Sequence, residues 1–451
     1  MTFKRTLLAA AVTGAVLATG TAHATNGYFK HGYGVKSMGM AGGGVAFANN
    51  SAMIIATNPA GLAEVDNQFN AELSWFRPER GYDQTSGQAL QQGMNGFEPA
   101  PFTLPAASAD SDSENFYVPG LGAAYSLTEN DTIGIAIYGN GGMNSDYKAD
   151  ADGLVFAPGM GAYAEGPAGV NLEQMFIAPT YARSFMEGKL SLGVTPMIVR
   201  QKFKANGLGN FAGFSTNGDD GLTGNGHDVS WGYGGKIGIT YKPMDMLTLG
   251  ASYQSKMEMD EFDDYDGLFA EGGDFDIPST WTVGLAADVT DAVTVTFDYQ
   301  RINYTDVKAI ANPSVEFLNE CFGARLMGGD SPKCLGGANG AGFGWDDINV
   351  YKLGVQWQAT PQLQLRAGWN RGDNPIDSAD VLFNTIAPGV VENHYTAGFS
   401  YAFDGGQHEV HGAFMYAPEE KVTGANDYNP GSDLTIRMKQ YEATVGYTYK
   451  F

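Results

Sequence analysis

From residue 68 onward the chain reads as fourteen segments in which apolar and polar residues alternate, a period of two that only a strand with two unlike faces explains. The segments are 68–78, 117–127, 132–140, 174–185, 190–203, 229–242, 247–257, 280–289, 293–304, 349–359, 362–370, 393–403, 408–417 and 435–451. Their connections alternate in length. Short turns fall at 128–131, 186–189, 243–246, 290–292, 360–361 and 404–407, and each neighbouring connection is long: 79–116, 141–173, 204–228, 258–279, 305–348, 371–392 and 418–434. A barrel that crosses a membrane has short turns on the periplasmic side and long loops outside, whereas a soluble sandwich has no reason to alternate.

The two ends agree with export to such a membrane. Lys4 and Arg5 precede an apolar run at 7–17, and Thr21-Ala22-His23-Ala24 has the form of a secretory cleavage site, so residues 1–24 are expected to be a signal peptide. No later segment offers the roughly 18 uninterrupted apolar residues that a spanning helix needs, so any crossing must be built from strands. At the other end Tyr441, Ala443, Val445, Tyr447, Tyr449 and Phe451 form one face of a strand that continues to the last residue. It resembles the closing strand of a bacterial outer-membrane barrel, and Phe451 resembles the signal read by the barrel-assembly machinery. The expected fold is therefore all-β, an antiparallel transmembrane barrel, in the outer membrane of a Gram-negative bacterium, monomeric and in contact with lipid and lipopolysaccharide.

Composition limits the partners. The formal charge of -24, which becomes -26 without Lys4 and Arg5, excludes a phosphate-rich nucleic acid, and the excess acid reads as solvated outer loops. On the strands one face is apolar, as in Ile133, Ile135 and Ile137 or Tyr351, Leu353, Val355 and Trp357, and is expected to face lipid. Cys321 and Cys334 form a close pair in a Gly-rich stretch with no His nearby, which in an exported chain favours a disulfide over a metal site.

Residues 25–67 alternate poorly, are rich in Gly and Met, and have too little bulk for a core of their own. Directly ahead of the first barrel strand, their expected place is inside the lumen. Asn58, Pro59 and Ala60, preceded by the small-residue run 38–48, make this segment and the barrel of 68–451 resemble the FadL/TodX family of long-chain fatty-acid and hydrocarbon transporters. That resemblance implies a fourteen-stranded barrel plugged by an N-terminal hatch. It also implies a route: capture of a hydrophobic molecule on outer loops, transfer to a pocket at the hatch, and sideways exit through a kinked third strand.

Each step has candidate residues, and each has a plainer reading. The apolar stretch Leu154, Val155, Phe156, Met160 and Tyr163 in the second long loop suits capture or burial against other loops. Phe29, Met38, Met40, Met53, Ile54 and Ile55 either line the pocket or pack the hatch against the wall. Tyr138, Gly139, Gly141 and Gly142 either kink the third strand or begin its loop. Lys236, Lys352 and Arg366 point inward, where they serve a substrate carboxylate or pair with Glu72, Asp298 or Glu442.

The expected function is uptake of hydrophobic molecules, long-chain fatty acids first, with alkanes or monoaromatic hydrocarbons as the alternative and without a cofactor. A general porin conflicts with a plugged lumen. An outer-membrane hydrolase lacks a recognisable nucleophile motif beside its histidines. The acidic run 260–267 places Phe262 where a calcium loop needs an oxygen ligand, so it reads as solvated surface, and no metal is expected.

Overall fold

The computed structural model describes residues 25–93, 96–154 and 161–451, with the backbone alone over 89–102; the expected signal peptide lies outside the described residues. Fourteen antiparallel strands make the wall: β1 (Gln68–Gln84), β2 (Phe116–Ser126), β3 (Asp131–Gly141), β4 (Gly169–Phe185), β5 (Leu190–Asn206), β6 (Asp228–Met244), β7 (Leu247–Gln254), β8 (Thr280–Thr290), β9 (Val293–Ile302), β10 (Ile348–Gln358), β11 (Leu363–Gly372), β12 (Asn393–Phe403), β13 (His408–Ala425) and β14 (Asp433–Lys450). Each pairs with its neighbours in sequence, and β14 pairs with β1 from Gln68↔Lys450 to Gln84↔Leu434, which closes the barrel and leaves no edge along that seam.

The outward faces carry the apolar residues the alternation selects. Ile133, Ile135, Tyr351, Leu353, Trp357, Tyr395 and Phe399 are all exposed, as a lipid-facing surface requires. Ile137 departs from that pattern: it is buried, because β3 leaves the wall at that point, as described below. At the outer rim Trp75 lies opposite Tyr117, Tyr395 opposite Tyr416 and Tyr416 opposite Tyr441, an aromatic girdle of the kind that marks a membrane interface.

Two long connections turn out shorter than the sequence suggests. β1 runs on to Gln84 and β13 to Ala425, and the outer end of β1 is joined by a short strand, Ala107–Asp110, while Gly87–Gly93 and Gly96–Leu104 form a separate hairpin. The extension lies beyond the girdle, so its outward positions are charged rather than apolar. Lys439 pairs with Glu79 at 2.7 Å and Arg437 with Asp83 at 2.9 Å, which keeps the period of two but changes its chemistry.

The inner face of the wall is notched for the N-terminal segment. A Cβ on Gly193 would lie 2.3 Å from the Pro59 carbonyl carbon, on Gly238 1.8 Å from the Asn58 side-chain oxygen, and on Gly368 2.4 Å from the Met40 backbone. Glycine at these strand positions admits the segment's backbone against the wall, which accounts for part of the chain's 62 glycines. On the outer side, Cys321 and Cys334 are joined by a disulfide that ties the helix Val315–Leu326 to the turn after it.

Candidate functional site: the filled lumen and a window in the wall

Residues 35–66 are tied to the barrel by polar and charged contacts. Lys36 Nζ meets Glu409 at 2.8 Å, and Glu409 also holds Lys450 at 2.7 Å. Asp298 accepts from the backbone N–H groups of Gly44 at 2.7 Å and Val45 at 2.9 Å. Asn58 caps the turn Pro59–Glu64 by accepting from Ala60 N at 3.0 Å, and its amide donates to Val45 O at 2.6 Å and to Ile239 O on β6 at 3.1 Å. One side chain thus starts a helical turn, ties the segment to itself and fixes it to the wall, which requires both an acceptor and two N–H donors close to the backbone, as the short Asn amide supplies.

Residues 25–33 are held differently. Tyr28 and Phe29 are buried in an aromatic cluster built by the outer loops, with ring centroids of Tyr28 and Tyr304 at 5.4 Å, Tyr28 and Trp345 at 6.0 Å, and Tyr28 and Phe275 at 6.4 Å. Below them Lys30 meets Glu442 at 3.1 Å, and His31 lies beside the same carboxylate at 3.5 Å. Burial pushes the His31 imidazole well below its ordinary value, and the nearby His394, Lys30 and Lys352 push it the same way.

Beside this outer part the wall is unzipped. β2 and β3 pair only from Ser126↔Thr132 up to Leu121↔Ile137, although β2 continues to Phe116 and β3 to Gly141. Over its last residues β3 keeps β4 as a partner, with a register shift between Gly139 and Gly141, and turns away from β2. The freed edge bonds to the N-terminal segment instead: Lys30 N donates to Asn140 O at 2.9 Å, Gly142 N to Tyr28 O at 3.1 Å, and Tyr33 Oη to the Asn140 side chain at 2.6 Å. Residues 137–141 are all buried, so the lipid-facing alternation of β3 stops where its pairing with β2 stops.

Local sequence permits this. A Cβ on Gly141 would fall 1.8 Å from Tyr28 O, so glycine alone allows the segment to approach β3 there. On the opposite side Pro119 offers no N–H to an unpaired edge. Beyond the gap the two sides rejoin, Asp112 N donating to Asp146 O at 2.8 Å and Asp146 N to Ser111 Oγ at 2.9 Å. The result is a framed window in the wall.

A family of outer membrane transport proteins, OMPP1/FadL/TodX, matches residues 15–451. The chain belongs to that family. Similar solved structures of the FadL/TodX fold include the Pseudomonas putida toluene transporter TodX, at 18% identity and TM-score 0.63 over 93% of this chain and 99% of that one. A Pseudomonas aeruginosa FadL homologue is similar at 16% identity and TM-score 0.63 over 94% and 100%, and the Ralstonia pickettii toluene transporter TbuX at 16% and 0.57 over 93% and 99%. A comparison with curated proteins gives no match.

In this FadL/TodX barrel the residues singled out by sequence divide sharply. Asn58, Pro59 and Ala60 lie at the wall contact of β5 and β6, and Gly139, Gly141 and Gly142 border the window with Tyr138. Phe29 lines a cavity with Lys236 and Lys352. Met38, Met40 and Ile55 pack against the wall, and Met53 and Ile54 border a space within the N-terminal segment itself. Leu154 and Tyr163 are fully buried, Tyr163 Oη donating to Leu382 O at 2.7 Å, while Val155, Phe156 and Met160 lie outside the described residues.

The inward cations do not take the acids offered as partners. Glu72 accepts from Val35 N at 2.7 Å, Glu442 serves Lys30, and Asp298 serves Gly44 and Val45, so all three hold the N-terminal segment. Lys236 instead donates to Ala56 O, Lys352 to His31 O at 3.1 Å, and Arg366 to Ser400 Oγ at 2.7 Å. None of the three forms an ion pair among the described residues. Ser400 Oγ is also 2.7 Å from His411 Nδ1, but both are buried and Arg366 occupies the hydroxyl, so the pair braces the wall. Lys30 and Lys36 escaped the sequence reading. They are the only Lys or Arg residues in 25–67, and that isolation was their signal.

Proposed function

We propose that this chain takes up hydrophobic molecules across the outer membrane of a Gram-negative bacterium and releases them sideways into the bilayer, with long-chain fatty acids as the preferred cargo. The observation that carries the reading is the window between β2 and β3, filled from inside by residues 28–30. An apolar molecule reaching the outer aromatic cluster competes with Tyr28 and Phe29 for the same surroundings. Their displacement withdraws the strand that bonds Asn140 and Gly142, and the window opens toward lipid. Sideways release suits such cargo because each methylene kept from water is worth about 0.8 kcal/mol, which an aqueous lumen would forfeit. Ions have no comparable route while residues 35–66 fill the barrel.

Fatty acid is favoured over hydrocarbon by Lys236 and Lys352. Two buried lysines line one cavity with Phe29 against a single acid, Asp298, whose Oδ2 is taken by Gly44 and Val45, and this excess of cationic groups offers a carboxylate more than it offers a neutral ring. Uptake of alkanes or monoaromatics is the second reading, supported by the similarity to toluene transporters. Labelled oleate, hexadecane and toluene, supplied to a transporter-deleted host carrying this gene, separate the two. Oleate is expected to enter fastest, and uptake of all three no faster than in the empty host would end the proposal.

A further inference from the structure

Arg80 on β1 is a buried cation without an anion. It is 4% exposed, Glu114 is paired with Arg77 instead, and Arg80 forms no ion pair among the described residues. Its Nη2 donates to Ser113 O at 2.7 Å and to Asn144 Oδ1 at 3.2 Å, while Nε has no partner. The guanidinium lines a narrow space with room for about one water molecule, whose other walls include Phe76, Met143, Trp345 and Met438. The Phe116 ring, 5.7 Å from its Cζ, offsets part of the cost of withdrawing this guanidinium from water, but the open donor remains, and a carboxylate is the acceptor its planar fork fits.

Its position selects the kind of carboxylate. Ser113 precedes β2 and Asn144 follows β3, so Arg80 sits at the outer frame of the window and touches both of its sides. Along the wall the unpaired part of β2 lies level with Glu72 to Phe76 of β1 and reaches the aromatic girdle at Trp75 and Tyr117. Arg80 is four residues farther out, roughly 13 Å along the strand at the usual rise, and level with the charged pair Glu79 and Lys439. A head group held there stands at the water interface while an alkyl chain running inward reaches the window and the hydrocarbon beyond it. That is how an amphiphile already lies in a bilayer leaflet.

We infer that Arg80 takes the carboxylate of an anionic amphiphile at the outer edge of the window once Tyr28 withdraws from Gly142 and Trp345, two walls of this space, and so orients the molecule with its tail leaving the barrel first. This rests on the transport reading above and adds a subsite to it. Oleate and oleyl alcohol share a tail and differ in the head group, so the ratio of their initial uptake rates isolates the site. Arg80→Gln is expected to lower the oleate-to-alcohol ratio about tenfold, the loss of one charge-assisted contact, and Arg80→Lys, which keeps the charge but not the planar fork, to lower it by less. A ratio left unchanged by Arg80→Gln overturns the inference even if both rates fall, because a mere tie between Ser113 and Asn144 would affect both molecules alike. Wild-type protein that admits neither molecule defeats the transport reading itself.

Discussion

The two ends of the N-terminal segment fill the same lumen by different means. Residues 35–66 are bound by charge and directed hydrogen bonds to β1, β6, β9 and β13, and Lys30 adds an ion pair with Glu442, whereas Tyr28 and Phe29 are held chiefly by apolar burial and a short run of strand bonding to β3. Directed bonds fix one geometry and fail if it changes. Apolar burial is indifferent to what does the burying, so on the proposed route an apolar ligand would replace Tyr28 and Phe29 with little net cost while residues 35–66 stayed in place.

Four substitutions or conditions test that contrast. The largest effect is expected from Glu409→Ala, which strands Lys36 and Lys450 without their common acid and should lower the stability of the folded barrel by about 3–5 kcal/mol in denaturant titrations. Phe29→Ala should remove about 3 kcal/mol locally, raising hydrogen exchange at residues 28–32 roughly a hundredfold, with the global midpoint nearly unmoved. Equal global losses in the two variants would erase the distinction. Asn58→Ala, which loses a cap and two donated bonds, should cost about 2 kcal/mol and increase exchange at 58–64 but not at 28–32.

The smallest effect is that of pH on His31, between the two ends. Its folded value lies below the ordinary one of 6.5, so the unfolded form binds the proton more readily. The stability it contributes is complete above that ordinary value and declines as pH falls toward the depressed one. Exchange at 28–33 should therefore rise on acidification from pH 7 to 5.5, by up to about 1.4 kcal/mol, and His31→Gln should flatten the response.

How much of this was readable from sequence follows from the range of each interaction. The strands declared themselves because alternation is local and the short turns fix which end is which; even the ends of β12, 393 and 403, agree. The outer extensions of β1 and β13 did not, since charged outward positions such as Glu79 and Lys421 look like loop once the apolar face stops. Leu154 and Tyr163 looked like an exposed patch because their partners, Asn426 and Leu382, lie more than two hundred positions away. The glycines after Ile137 marked a disturbance in β3, but the partner that takes over its edge, Lys30, is over a hundred residues upstream. Acid–base pairing was misread for the same reason: Glu442 faces Lys30, and Glu72 and Asp298 accept from backbone N–H groups of the N-terminal segment, rather than meeting the cations of other strands.

The most direct test of sideways release is to close the window. Continuing the β2–β3 register beyond Leu121↔Ile137 would set Val118 opposite Asn140, so Val118→Cys and Asn140→Cys can be bridged by a bifunctional thiol reagent that a reductant removes. With the wild-type chain taken through the same steps as a control, bridging should stop oleate uptake and reduction should restore it. Uptake that continues at the unbridged rate would mean that the cargo leaves through the lumen and not through the wall.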